Sequence, residues 1–143
     1  MQTIQLLGGP GGRARFLRRA AAHLRPGGCV AAALTEGFDL YDGTIDGSSS
    51  LPLADVRELP EAIYRSQPTA VRREGEKIVL QRCREIVDPT GRRRVEDYQI
   101  QLDELTAAAL EDESLAAGLR PEARVTIAPT SDHVGSEVVI LSG

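Results

Sequence analysis

Between Arg13 and Leu24 the apolar residues Phe16, Leu17, Ala20, Ala21 and Leu24 recur at intervals of three and four, while Arg13, Arg15, Arg18 and Arg19 fall between them. That period matches the 3.6-residue turn and predicts an amphipathic helix. Arg25-Pro26-Gly27-Gly28 ends it, because proline disfavours helical geometry in the residue before it and glycine permits a positive φ. Cys29 to Leu34 is then a short unbroken apolar run, which predicts a strand buried on both faces. Upstream, Met1 to Leu7 reads as the end of a strand, followed by the turn-forming Gly8-Gly9-Pro10-Gly11-Gly12.

The pattern then changes. Phe38 to Leu59 is rich in Gly, Ser, Asp and Pro and reads as a long connection, of the kind that forms lids and binding loops. Thr69 to Arg73, Lys77 to Val87 and Arg94 to Leu102 are rich in Val, Ile and Tyr and predict three strands, with Asp88-Pro89-Thr90-Gly91 as the tight turn between the last two. An antiparallel hairpin or three-stranded meander follows from that order. Asp103 reads as the N-cap of a helix reaching about Ala117, stopped by Gly118. Arg124 to Ala128 and Glu137 to Leu141 predict two final strands. The expected organisation is a single domain over 1–143: strand end, helix and strand in 1–37, loop in 38–68, antiparallel insertion in 69–102, helix and two strands in 103–143.

Composition narrows the function classes. The 143 residues are 41% apolar and 27% charged, which are globular proportions; with aromatics at 3% and no Trp, the core must be built from Leu, Ile, Val and Ala. A net charge of −4 argues against a nucleic-acid binder, which needs a positive surplus on some face. The basic cluster Arg92-Arg93-Arg94, with Arg72, Arg73, Lys77, Arg82 and Arg84, is interspersed with Glu74, Glu76, Glu85, Glu96 and Asp97, so cross-strand ion pairs on a solvated sheet face are expected instead. Cys29 and Cys83 show no metal-ligand spacing, so neither a metal site nor a disulfide framework is expected. The N-terminus has no secretory-signal pattern and no apolar run is long enough to span a bilayer, so the expectation is a cytoplasmic chain without a membrane partner.

The glycine cluster admits two readings. Gly9-Pro10-Gly11-Gly12-Arg13-Ala14 fits G-x-G-x-x-A, the turn that brings a pyrophosphate to a helix N-terminus, with Glu36 as the acid for a ribose. A domain binding NAD or FAD through Gly9, Gly11 and Ala14 is therefore one alternative. The other takes the whole order of elements. Strand end, glycine turn, amphipathic helix, Leu24-Arg25-Pro26-Gly27-Gly28 and an apolar strand resemble the fourth strand, fourth helix and fifth strand of class I S-adenosylmethionine-dependent methyltransferases, where L-[KR]-P-G-G is a frequent helix-to-strand turn. The meander resembles the insertion that many small-molecule methyltransferases carry after the fifth strand to cover the substrate. Ala116-Ala117-Gly118-Leu119 resembles the A-A-G-[FL] before the sixth strand, and Val134-Gly135-Ser136-Glu137-Val138-Val139-Ile140-Leu141 resembles the antiparallel seventh strand between the fifth and sixth.

The resemblance implies an α/β fold holding part of the Rossmann-like methyltransferase sheet. It also implies S-adenosylmethionine as cofactor, methyl transfer as the reaction and a small molecule as acceptor. The family's main cofactor grip, a glycine-rich loop after the first strand and an acid after the second, precedes the region matched. The chain alone is therefore expected to be inactive or weak, a truncated or internal piece needing a complementary N-terminal half or a homo-oligomer. Methyl transfer is mostly positioning, with a base only where the acceptor must lose a proton. By the resemblance, Gln2, Thr3, Ile4 and Gln5 border the cofactor and His133 in the last loop is the candidate catalytic base; Tyr41 and Tyr64 flank the long polar loop and are candidates to line an acceptor pocket or to anchor that loop. His23 reads as a helix-dipole partner rather than a catalyst. A third reading is a non-catalytic interaction module that recruits a partner through an exposed sheet edge.

Overall fold

The computed structural model describes residues 3–43, 51–130 and 134–143. The chain forms two compact units, one of Met1–Gly37 with Asp103–Gly143 and the other of Phe38–Leu102.

The first unit packs two helices, α1 (Pro10–His23) and α2 (Ala107–Ala116), on one face of an antiparallel sheet. Its strands are β1 (Cys29–Leu34), β7 (Arg120–Pro121), β8 (Val125–Ile127) and β9 (Ser136–Ser142). β9 is the spine: β1 pairs with one edge, β7 and β8 with the other, all antiparallel, and Glu122 N–H donates to Ile140 O (2.8 Å) where β7 and β8 are interrupted. Alternation puts Ala32 and Leu34 of β1 beside Val139 and Leu141 of β9. Leu17, Leu105, Leu110 and Leu119 cover them. The other face stays open. Cys29, Ala31, Val125 and Ile127 are exposed, so β1 is buried on one face only, whereas its apolar run predicts burial on both. A run of small Ala residues is equally apolar whether or not anything covers it.

The start of the chain differs from expectation too. Thr3–Leu6 is a turn of 3-10 helix and not a strand end. Ile4 drops into the core, and Gly8 and Gly9, at φ 76° and 87°, reverse the chain into α1, which begins at Pro10, where the missing N–H is no loss. Gly12 is required by close approach: a Cβ there would lie 1.6 Å from Leu7 O.

Asp103 does not cap α2. It is the last residue of the strand Arg93–Asp103, while Thr106 is the cap and its hydroxyl accepts from Ala109 N–H (3.2 Å). The strand runs on through Asp103, so the helix starts later and its cap falls at Thr106. Gly118, at φ 83°, ends α2 as predicted, with Leu119 N–H returning to Ser114 O (3.0 Å).

The second unit is a five-stranded antiparallel sheet in the order β2 (Tyr41–Asp42), β4 (Ala62–Glu74), β5 (Lys77–Val87), β6 (Arg93–Asp103), with β3 (Asp55–Leu59) also paired to β4. Strand structure therefore enters the region read as loop. β3 is mostly polar and exposed, and Pro68 lies within β4, beside a register shift between Pro68 and Ala70 that lets a proline sit in a strand. Polar strands with a proline carry the same letters as loops. The Asp88 turn is as predicted, its carboxylate accepting from Thr90 N–H (2.9 Å), Thr90 Oγ1 (2.6 Å) and Arg92 N–H (3.0 Å).

Candidate functional site

In the first unit, polar side chains converge at the C-terminal end of β1. The amide of Gln5, fully buried, forms a two-bond pair with the backbone of Thr35: Thr35 N–H donates to Oε1 (3.0 Å) and Nε2 donates to Thr35 O (3.2 Å). The same Nε2 donates to Asp103 O (3.1 Å). Gln5 thus imitates a strand residue and joins two distant chain segments.

Beside it, Arg13 is buried on α1 and its guanidinium bridges Asp103 Oδ2 (2.6 Å) and both carboxylate oxygens of Glu113 (2.8 and 2.7 Å). The hydrogen bonds that Arg13 donates to Glu113 hold its pKa above the ordinary value against the cost of burial. Asp103 Oδ2 also accepts from Gly9 N–H (2.7 Å) at the start of α1. Glu36 accepts from Ala107 N–H (2.5 Å) at the start of α2. The positive end of each helix thus meets a carboxylate. Asp103 stands where the G-x-G-x-x-A reading would place a pyrophosphate, the segment before the turn is a 3-10 turn and not a strand, and Glu36 is engaged by a helix. The cluster is saturated and holds structure together; it contains no free base.

The second unit holds an open cleft of about 460 Å³ lined by Arg57, Tyr64, Arg84, Ile86 and Arg94, among others. The ion pairs expected of the basic cluster are present: Arg65 to Glu85 directly across β4 and β5 (3.8 Å), Arg93 to the same Glu85, Arg94 to Glu96, and Arg72 to Asp42 (2.7 Å).

The predicted site residues fall in different places. Gln2 and His133 lie outside the described residues. Thr3 is exposed, Ile4 is buried in the core and the Gln5 side chain is committed to Thr35 and Asp103, so neither Ile4 nor Gln5 presents a side chain for a cofactor grip. Tyr41 packs against the Val71, Ile78 and Leu102 core, and burial raises its pKa, opposed by the charge of Arg82. Tyr64 instead faces the open cleft. The two tyrosines do not share a pocket. His23 Nδ1 lies 2.7 Å from Arg19 O on its own helix, in keeping with a local role.

The buried Arg13–Asp103–Glu113 group is not marked by any motif in the sequence. Arg13 heads an Arg-rich helix, and nothing in the spacing separates it from the exposed Arg15, Arg18 and Arg19. A charged residue one turn before the buried Leu17 was the available signal.

No family model and no curated protein matches the sequence. Solved structures do match. The chain is similar over 97% of its length to DesVI from Streptomyces venezuelae (20% identity, TM-score 0.67) and over 100% to the sugar N-methyltransferase KedS8 from a Streptoalloteichus species (19%, 0.65). It is similar over 98% to CalS10, an amino pentose methyltransferase from Micromonospora echinaspora (18%, 0.59). It spans 54–55% of the length of these structures. The architecture described above is therefore the fold of about half of an α/β methyltransferase structure.

Proposed function

We propose that this chain is the rear part of an S-adenosylmethionine-dependent methyltransferase acting on a small-molecule acceptor. The observation that carries the reading is the likeness of fold over 97–100% of the chain to several such enzymes, with their matched share near one half. In this reading β1 stands for the family's fifth strand, β7 with β8 for the sixth and β9, between them, for the seventh. The second unit is the antiparallel insertion after the fifth strand. The similar structures include a sugar N-methyltransferase and an amino pentose methyltransferase, which favours an amino sugar or a related small molecule here.

The side chains of Ile4 and Gln5 do not fit a cofactor grip, so the reading leaves Thr3 and the backbone of this turn as the contact and assigns the grip itself to protein outside this chain. The open face of the first unit's sheet and the edge of β1, unpaired among the described residues, with Cys29, Ala31, Val125 and Ile127 exposed, support a complementary half that covers them. The chain's own share of the reaction is to place the acceptor, with Tyr64 as a contact and Tyr41 as an anchor for the sheet that carries it. His133 is retained as the candidate base. S-adenosylmethionine would supply the methyl group.

Calorimetric titration tests this. The chain alone is expected to bind S-adenosylhomocysteine weakly or not at all. A longer in-frame product containing it is expected to bind S-adenosylhomocysteine and to transfer labelled methyl to amino sugars. Micromolar binding of NAD or FAD by the chain alone would sink the reading in favour of a dinucleotide domain. The β1 edge favours a second reading, a module that associates through that strand. Sedimentation of a stable dimer that is lost when proline replaces Ala31 would support it.

A further inference from the structure

Alternation along β5 puts Ile78, Leu80, Arg82, Arg84 and Ile86 on one face of the second unit's sheet, and along β6 it puts Leu102, Ile100, Tyr98, Glu96 and Arg94 on one face. Ile78, Leu80, Ile100 and Leu102 belong to one apolar cluster, so the two rows share a face. Its one half is core; the other is the open cleft of about 460 Å³.

The carboxylates around the cleft are engaged. Asp55 accepts from Arg82 (2.6 Å), Glu85 pairs with Arg65 (3.8 Å) and Arg93, and Glu96 pairs with Arg94. Arg57 and Arg84 have no carboxylate partner among the described residues. Arg84 lies over the ring of Tyr98, 4.2 Å from its centroid, a stacking contact that leaves its N–H edge for another acceptor. Arg57 stands directly across from Tyr64, and Tyr64 directly across from Ile86. Two uncompensated guanidinium groups therefore border a floor of phenol ring and isoleucine.

We propose that this cleft binds a small aromatic anion, a planar ring bearing a phosphate or carboxylate, with the anionic group on Arg57 and Arg84 and the ring on Tyr64 and Ile86. Planar guanidinium forks match such groups in two-bond geometry, and the apolar floor removes the ring from water. A second copy of the chain is a poor occupant, because twofold pairing would bring the same two unneutralised arginines together. A nucleic-acid strand is disfavoured by the interleaved carboxylates and the net charge of −4. The cleft shares Tyr64 with the proposed acceptor contact, but aryl-anion binding is read without cofactor or methyl transfer, so the two readings fail separately.

Titration of the full chain with 1-naphthyl phosphate tests it, alongside inorganic phosphate and the neutral 1-naphthalenemethanol. Saturable binding of the aryl phosphate is expected, with each partial probe at least about tenfold weaker and with affinity falling as salt is raised. Arg57→Ala and Arg84→Ala should each weaken it about tenfold, whereas Arg92→Ala, at the hairpin turn outside the cleft, should not. Circular dichroism reports folding, and Arg57→Gln replaces any variant that fails it. No heat with the aryl phosphate at millimolar concentration overturns the proposal. So does equal binding of the neutral analogue, indifference to both arginine substitutions, or a dimer in sedimentation that buries this face.

Discussion

Arg13 shows how a single position can be misjudged from its neighbours. Four arginines punctuate α1, and three are solvated; the fourth points inward, where two carboxylates meet it. A buried charge that loses its partner costs far more than a surface pair is worth. Asp103→Asn is accordingly expected to lower unfolding free energy by about 3 kcal/mol in urea titration, since the Arg13 guanidinium then keeps only Glu113. Tyr41 offers a second test at this scale. With three tyrosines and no tryptophan, absorbance near 295 nm follows phenol ionisation alone. Burial raises the Tyr41 pKa, so the neutral phenol stabilises the fold fully below the ordinary value of about 10, and that contribution is lost as pH rises through the elevated folded value. A late ionisation step is expected, absent in Tyr41→Phe.

At the level of elements, legibility followed periodicity. α1, β1, β5, β6 and β9 lie close to where apolar spacing placed them; β1 buries one face regularly, whereas β6 buries only Leu102 and Asp103 at its end. Thr3–Leu6 was not legible, since its shape depends on an amide bridge to Thr35, thirty residues away, and not on local pattern. β3 and the first half of β4 were hidden because their side chains are exposed and their order comes from backbone pairing. Of the proposed site residues, Tyr64 was legible as a lining residue, while the arginines of the cleft were absorbed into a general account of ion pairs. α2 also has a tie that spacing could not supply: Glu111 accepts from Arg124 through both oxygens (2.6 and 2.7 Å). Those bonds lower the Glu111 pKa. Its contribution is therefore present above the unfolded value, about 4.3, and lost as pH falls through the lower folded value. Urea midpoints measured from pH 7 down to about pH 3 should fall less steeply in Glu111→Gln than in the parent.

For the molecule as a whole, the first unit is made of two stretches of sequence separated by the entire second unit. Its core draws on both stretches and on nothing between them. Replacing 38–102 with a short Gly-Ser linker should therefore leave a folded first unit, seen as cooperative melting and retained helical dichroism. An unfolded product would show that the core needs the intervening sheet. The likeness of fold to methyltransferase structures extends over both units, covering 97–100% of the chain. What makes the split arrangement tolerable is Gln5. By gripping Thr35 and Asp103 with one amide, it fixes the points where the chain departs and returns, whatever lies between. Closing a longer loop between fixed ends costs only logarithmically more. The frame can thus exchange one excursion for another of different length and chemistry without disturbing the residues that keep it folded.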